Sequence, residues 1–282
     1  MSAARILVID GNRAAIREQQ IAAGGSATGE GYVGVLAGLA PVSCDIVRPA
    51  DGAVRLARAL ADYDGVAITG SALNVYEGGP AVERQLALAA EVFAAGVPFF
   101  GSCWGMQVAV TAAGGRVRRN PLGREFGFAR RIELEAAGRS HPMFSGKPPV
   151  FEAITVHKDD IEQLPAGTTV LARNDMGLQA IELRHGRGAF WGVQYHPEYS
   201  FAEIAAAALR YGTALIEEQL FADRAELDTY VAELRALMRD PHDARLTWKH
   251  GLGRALQDPV CKLAELANWL RVQVLPRAQQ RQ

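Results

Sequence analysis

Four short apolar runs, separated by longer segments, occupy about the first hundred residues and constrain the fold more than any other feature. Each run is rich in Val, Ile or Phe and ends at Gly, Pro, Asp or Cys: RILVID (5–10), CDIVRP (44–49), GVAITG (65–70) and VPFFGSC (97–103). Continuous apolar runs of this length are typical of strands buried on both faces of a parallel sheet. Their alternation with helical segments predicts right-handed crossovers and a doubly wound α/β sheet.

The segments between the runs are rich in Ala and Leu and predict crossover helices, for example over residues 53–61 and 81–95. In a doubly wound sheet the functional groups gather at the carboxyl ends of the strands. Asp10, Gly70 and Cys103 stand at such ends. We therefore expect the site of any chemistry at this edge of the sheet.

The chain changes character at about Arg130, where strand-like segments follow one another with few helices between them. This pattern predicts a smaller antiparallel or mixed sheet. Helical patterns follow over residues 200–221, 223–238 and 259–270, and the last residues, PRAQQRQ, are predicted to be a solvated tail. The segments with strand character are RRIELE, VFEAITVH, TTVLARND, LQAIELRHG and AFWGVQYHP.

Charge and cysteine content exclude several classes of protein. Thirty Lys and Arg residues balance 31 Asp and Glu residues, for a net charge of −1, so no global electrostatic attraction to nucleic acid or to an anionic membrane exists. No apolar run approaches the roughly 18 residues of a spanning helix, and none forms a signal-peptide core, so we expect a cytoplasmic protein. The odd, widely spaced Cys44, Cys103 and Cys261 indicate neither a disulfide framework nor a zinc site.

Cys103 has the sequence context of a nucleophile. It lies in Gly-Ser-Cys-Trp-Gly (101–105), directly after an apolar strand and directly before a helical segment. Glycines two residues to either side permit the tight strand–turn–helix of a nucleophile elbow. The helix N-terminus that follows favours the thiolate over the thiol. We therefore interpret Cys103 as a nucleophile, and Cys44 and Cys261 as packing residues.

A base and an orienting acid stand together in His196-Pro197-Glu198, at the end of the strand AFWGVQY. Because Pro ends the strand, His196 and Glu198 can leave it on one turn with both side chains aimed at one place. A carboxylate there would hold the imidazole in one tautomer. The alternative bases, His141 and His157, stand in a loop and at the start of a charged stretch, where Asp159 and Asp160 are predicted to be solvated.

GSCWGMQ (101–107) and GVQYHPE (192–198) resemble the class I glutamine amidotransferase family, with further similarity over about residues 5–220. The resemblance is to a stand-alone member similar to the glutaminase domain of GMP synthase. It implies a flavodoxin-like, mostly parallel sheet that carries a Cys–His–Glu triad: Cys103, His196 and Glu198. We divide the chain into a catalytic domain, residues 1–221, and a C-terminal helical extension, residues 222–282.

The same resemblance suggests further site residues. The oxyanion hole would take the backbone N–H of Trp104 and that of Gly70 or Ser71, since the family's usual Gly-Gly-Pro loop reads Gly-Ser-Ala here. The substrate's amino-acid end would be held by one residue a turn beyond the nucleophile and by the segment GREFG (123–127). The predicted substrate-binding residues are Gln107, Glu125, Phe126 and Gly127.

Three functions share this scaffold. The first is a stand-alone cysteine amidohydrolase that cleaves glutamine or another γ-glutamyl amide through a γ-glutamyl thioester, with no cofactor and no metal. The second is a glutaminase subunit that delivers ammonia to a separate synthase; about 60 residues follow Leu220, too few for an acceptor-activating domain, and no phosphate-binding GxxxxGK[ST] motif occurs. The third is a non-catalytic glutamine-sensing module. We expect a small-molecule substrate and leave a homo-oligomer open.

Overall fold

The computed structural model describes residues 3–281 and contains strands and helices in the alternation that the apolar runs predict. The strands are β1 (Ala4–Ile9), β2 (Val42–Val47), β3 (Gly65–Ile68), β4 (Phe99–Ser102), β5 (Arg116–Arg119), β6 (Glu125–Leu134), β7 (Val150–His157), β8 (Asp159–Gln163), β9 (Thr168–Asn174), β10 (Gly177–His185) and β11 (Gly188–Val193). The helices are α1 (Ala14–Ala22), α2 (Thr28–Leu39), α3 (Pro80–Ala95), α4 (Trp104–Ala112), α5 (Ala136–Ser140), α6 (Phe201–Glu217), α7 (Arg224–Arg239), α8 (Ala244–Lys249), α9 (Arg254–Gln257), α10 (Pro259–Lys262), α11 (Ala264–Trp269) and α12 (Leu275–Gln280).

A nine-stranded sheet with the order β2-β1-β3-β4-β11-β10-β9-β6-β7 forms the centre of the molecule. The strands β1 to β4 are parallel, as predicted from the four apolar runs. Strand β11, which the sequence placed in the second series of strands, joins them parallel to β4. The strands from β10 to β7 extend the same sheet with antiparallel pairing. A separate antiparallel pair, β5 with β8, completes the predicted α/β architecture.

The inner strands of the parallel half, β1, β3, β4 and β11, are almost entirely buried because their residues are mainly apolar, whereas the edge strand β2 is partly exposed. In β1, Ile6 and Val8 enter the core on one face, and Leu7 and Ile9 enter the core on the other. Side chains alternate between the two faces of a strand, so a continuous apolar run fills both cores at once. This is the physical reason why the first four strands could be predicted from the sequence.

The helix predicted over residues 53–61 is wrong. The chain there is extended and ends in a 3₁₀ turn at Leu60–Asp62. Val54, Leu56 and Leu60 are partly buried against the core. Arg58 is also half-buried, whereas Arg55, Ala57 and Ala59 are exposed. Burial therefore follows a period of two, the period of an extended segment, and it overrides the helical propensity of the alanines.

The C-terminal helices pack on the body of the protein, and the predicted solvated tail is wrong. Residues 276–280 belong to α12, in which Ala278 is buried. Beyond this helix, Arg281 donates two hydrogen bonds, of 2.9 and 2.6 Å, to the Asp64 carboxylate, which lies directly before β3. A buried acceptor 217 residues away gives no local signal in the sequence.

Within residues 3–281, no helix combines the length and the apolar character needed to cross a membrane.

Candidate active site

Cys103 occupies a strained turn between β4 and α4. Its φ of 52° lies in the left-handed region that few non-glycine residues adopt, and such strain persists only where the surroundings impose it. The Cys103 N–H donates to Val193 O at 2.7 Å, which fixes the turn to the end of β11. The sulfur lies 3.5 Å from Val156 O. The strand–turn–helix predicted around this residue is present.

The turn is possible because Gly105 lets α4 approach the neighbouring strand. A Cβ at Gly105 would lie 2.5 Å from Ile68 O, a distance that backbone atoms cannot relieve without moving β3 or α4. The flanking glycine therefore has a steric role in the close approach of helix and strand.

His196 and Glu198 form a buried hydrogen-bonded pair in the loop after β11. His196 Nδ1 lies 2.7 Å from Glu198 Oε1, and the side chains are only 2% and 4% exposed. The His196 N–H donates to Ile154 O at 2.8 Å, so β7 holds the loop from the far side. With Nδ1 bonded to the carboxylate, Nε2 is the nitrogen left for proton exchange.

Burial and two neighbouring groups act in opposite directions on the charge state of His196. Burial disfavours the imidazolium, but the Glu198 carboxylate and the adjacent Cys103 sulfur outweigh burial and raise the pKa of His196 to about 10. The arrangement therefore places a basic imidazole beside the Cys103 sulfur.

Three side chains that sequence reasoning missed support this pair. Ser102, the residue before Cys103, donates to Glu198 Oε2 at 2.9 Å, and the Tyr32 hydroxyl of α2 lies 3.3 Å from the Ser102 oxygen. The Tyr199 ring stacks on the imidazole, with centroids 4.0 Å apart and planes 16° apart. Ser102 and Tyr199 stand beside Cys103 and Glu198 in the sequence, whereas nothing in the sequence connects Tyr32 with the site.

The loop after β3 lies against the pair. A Cβ at Gly70 would lie 2.5 Å from His196 Cε1, so the loop backbone contacts the ring directly. Ser71 Oγ donates to Gly11 O at 2.8 Å, which fixes the loop. Within residues 3–281, the backbone N–H groups of Gly70, Ser71 and Trp104 have no protein acceptor.

A cavity of about 60 Å³ opens at Cys103 and carries both signs of charge. Arg124 donates to Glu218 at 2.6 and 3.0 Å and lies 4.9 Å above the Tyr211 ring. The Tyr76 hydroxyl donates to Asp159 at 2.9 Å, and burial raises the pKa of the Asp159 carboxyl. The lining comprises Ser71, Ala72, Leu73, Asn74, Cys103, Gln107, Arg124, Val156, His157, Lys158, Asp159 and Tyr211.

The structure brings only one of the four predicted substrate-binding residues to this cavity. Gln107 lines it, and its side-chain amide has no protein partner within the described part of the chain. The Glu125 carboxylate instead accepts from Gln179 and from Asn174, at 3.1 and 2.6 Å. Phe126 and Gly127 lie against Tyr230 of α7.

The remaining candidates of the sequence have structural partners. His157 lines the cavity, with its two ring nitrogens 2.8 Å from Glu125 and 3.0 Å from Asp159 O. His141 packs edge-on against Trp191 of β11, and its Nε2 lies 3.7 Å from the Glu182 carboxylate. The prediction that Asp159 is solvated is wrong: it is 4% exposed, because the β7–β8 turn folds it back toward Tyr76.

Comparisons with known proteins show which sequences resemble this chain. The family model for glutamine amidotransferase class-I matches residues 37–212. A gamma-glutamyl-L-1-hydroxyisopropylamide hydrolase from a Pseudomonas species is 34% identical, over 100% of this chain and 97% of that enzyme. A glutamine-hydrolysing GMP synthase from Streptomyces coelicolor is 32% identical over 57% of this chain and only 31% of its own length.

Solved structures share the fold. A glutamine amidotransferase from Thermotoga maritima superposes with a TM-score of 0.63 at 19% identity, covering 95% of this chain and 99% of that protein. A glutamine amido transferase from Methylobacillus flagellatus also gives a TM-score of 0.63, at 20% identity, covering 96% and 95%. At this level of identity the likeness establishes the arrangement of strands and helices.

Proposed function

The chain belongs to the class I glutamine amidotransferase family, and from this premise we propose that it hydrolyses γ-glutamyl amides with Cys103 as nucleophile. The family and the full-length hydrolase relative both support cleavage of a γ-glutamyl amide bond. The observation that carries the assignment of roles is the strained Cys103 turn beside the buried His196–Glu198 pair.

The reaction proceeds in two halves. The Cys103 thiolate attacks the γ-carbonyl carbon, and the tetrahedral oxyanion receives hydrogen bonds from the N–H of Trp104 and of Gly70 or Ser71. The C–N bond then breaks as His196 gives its proton to the leaving nitrogen, which leaves a γ-glutamyl thioester and a free amine. His196 next takes a proton from water, the hydroxide attacks the thioester, and glutamate and the thiolate are released.

The cavity has charges suited to the amino-acid end of a γ-glutamyl group. Such a group carries an α-carboxylate and an α-ammonium. Arg124 and Lys158 supply positive charge for the carboxylate, and Asp159 supplies negative charge for the ammonium. Gln107 adds an unpartnered amide that can bond to either. Glu125 and Phe126 serve the site indirectly, by holding His157 and α7.

We further propose that the leaving group is an amine larger than ammonia. The relative that matches along the whole chain is named for a γ-glutamyl hydroxyalkylamide, whereas the GMP synthase relative matches over a minor part of its length.

A substrate panel tests the proposal. Purified protein would be incubated with glutamine, γ-glutamyl methylamide, γ-glutamyl ethylamide and γ-glutamyl-L-1-hydroxyisopropylamide, with glutamate release as the common readout. We expect release from all four, with the largest kcat/KM for the last. Cys103→Ala should abolish release, and Cys44→Ala should retain it, because burial raises the pKa of the Cys44 thiol to about 11 and keeps it protonated. A folded protein that releases glutamate from none of them contradicts the proposal.

The second candidate is a glutaminase subunit that delivers ammonia to a separate synthase. The similarity to the glutamine-hydrolysing part of GMP synthases favours it. In the same panel this function requires a preference for glutamine over every substituted amide. A preference for the substituted amides would exclude it.

The division into a catalytic domain, residues 1–221, and a helical extension, residues 222–282, remains a proposal. The extension shares its buried core with the preceding chain, since Leu227 and Leu234 pack with Ile204, and Trp269 packs on Phe100. We therefore expect one cooperative unfolding transition for both parts, measured by calorimetry. Two separated transitions would require independent domains.

A further inference from the structure

Three buried polar side chains connect the C-terminal helices to the loop that carries His196. Lys147 Nζ lies 2.8 Å from Glu265 Oε1, and the Tyr195 hydroxyl donates to the same carboxylate at 2.5 Å. The Lys147 and Glu265 side chains are 1% and 0% exposed, and Tyr195 is fully buried. We refer to Lys147, Glu265 and Tyr195 as the buried cluster.

The polar groups of the buried cluster are well satisfied. Lys147 also donates to the carbonyl oxygens of Cys261 and Lys262, at 3.1 and 3.4 Å, which lie at the end of α10. A buried ion pair gives little net stability, because desolvation offsets the attraction between the charges. Such a pair can instead specify one geometry, since any other arrangement leaves a buried charge without a partner.

The buried cluster is adjacent to the proposed active site through Tyr195. Tyr195 is the residue directly before His196, and its ring packs edge-on against Phe151 of β7, with centroids 5.8 Å apart. On the other side of the same backbone, the His196 N–H bonds to Ile154 of β7. Lys262 and His196 line one narrow space between α10 and the loop. The C-terminal helices therefore contact the loop next to its imidazole.

We propose that Tyr195 is a positioning residue for His196, and that the C-terminal helices act on the reaction through Glu265 and Lys147. This inference rests on the proposed function, because it assumes that His196 exchanges protons with Cys103. The Tyr195–Glu265 hydrogen bond fixes the backbone at the start of the loop, and this backbone sets the position of the His196 imidazole. Displacing a reacting group by about 1 Å can lower a rate by about a hundredfold.

A second tether of the same C-terminal helices provides the matched control. Arg281 bonds to Asp64, 1% exposed, directly before β3. This is the amino end of a parallel strand, whereas Cys103 and His196 follow the carboxyl ends of β4 and β11. The two tethers both hold the C-terminal helices to the body, but only the buried cluster is adjacent to the site.

The test compares Tyr195→Phe and Glu265→Gln with Arg281→Gln. For each variant, kcat and KM for the best γ-glutamyl amide, the melting temperature, and the rate at which iodoacetamide alkylates Cys103 would be measured. We expect Tyr195→Phe to lower kcat by about ten- to a hundredfold with KM within about twofold. The alkylation rate should fall with it, since His196 no longer supports the thiolate.

The control defines the outcome. Arg281→Gln should lower the melting temperature at least as much as Tyr195→Phe does, and leave kcat and alkylation unchanged. Glu265→Gln keeps an oxygen acceptor for Tyr195 and should retain more activity than Tyr195→Phe. The proposal would be overturned if, in all three variants, kcat fell only in proportion to the decrease in melting temperature. A wild-type protein that is alkylated rapidly at Cys103 but hydrolyses no γ-glutamyl amide would contradict the proposed function instead.

Discussion

The parts of the proposed active site around Cys103 and around His196, which we call the nucleophile side and the base side, are built in different ways. Cys103 is placed by its immediate neighbours: the strand before it, the helix after it and the small Gly105 that lets this helix approach β3. His196 and Glu198 are held by remote residues, among them Ser102, Tyr32 and, through Tyr195, Glu265. A substitution near Cys103 should therefore alter the backbone, whereas substitutions around His196 should alter hydrogen bonding and charge.

The largest expected effect on the base side is that of Glu198→Gln. The amide retains the size of the side chain but no longer stabilises the imidazolium or fixes its tautomer, so kcat should fall by about 10²–10⁴-fold. Steady-state kinetics with a γ-glutamyl amide would measure it. Unchanged secondary structure by circular dichroism should accompany the loss. An activity within threefold of the wild type would show that the base side does not depend on this carboxylate.

On the nucleophile side, Gly105→Ala should act through the backbone. Its new Cβ would lie 2.5 Å from Ile68 O, and relieving this overlap should reduce the free energy of unfolding by about 1–3 kcal/mol. Gly34→Ala is the control, because a Cβ there meets nothing within 4 Å and should stabilise α2 by up to about 1 kcal/mol. Urea denaturation compares them. If both variants stabilise the protein, the steric role of Gly105 is wrong.

The pH dependence of the free energy of unfolding reports on the base side through His196. The pKa of His196 is raised in the folded protein from 6.5 to about 10. Its contribution to stability is therefore fully present below pH 6.5 and is lost as the pH rises through about 10. The difference in free energy of unfolding between the wild type and His196→Gln should shrink between pH 7 and pH 10. A difference that stays constant between pH 7 and pH 10 would indicate that the imidazole is neutral in the folded state over this range.

The smallest expected effects are those of Ser102→Ala, at the junction of the two sides, and of Tyr32→Phe. Ser102→Ala removes one hydrogen bond to Glu198 Oε2, worth about 1 kcal/mol, so kcat should fall by about fivefold. Tyr32→Phe, one step further from the carboxylate, should cost less than Ser102→Ala. If Tyr32→Phe has the larger effect, the hydroxyl chain does not act through Glu198.

Local patterns predicted the parts of the molecule that depend on neighbouring residues. The apolar runs became β1 to β4, and Ser200 and Asp223 cap α6 and α7 where those helices were expected to begin. The same kind of reasoning failed at residues 53–61, because alternate burial against the core outweighed helical propensity. It also failed at Asp159, which is buried and accepts a hydrogen bond from Tyr76, 83 residues away.

The sequence alone therefore determined the alternating α/β architecture and the turn that presents Cys103. The tertiary structure alone decided what holds His196 and Glu198, what surrounds the cavity and how the C-terminal helices are attached. The physical reason is separation along the chain: Ser102 and Glu198 are 96 residues apart, Tyr195 and Glu265 are 70 apart, and Asp64 and Arg281 are 217 apart. Propensity and periodicity act over a few residues, whereas a buried hydrogen bond depends on which distant groups the fold brings together.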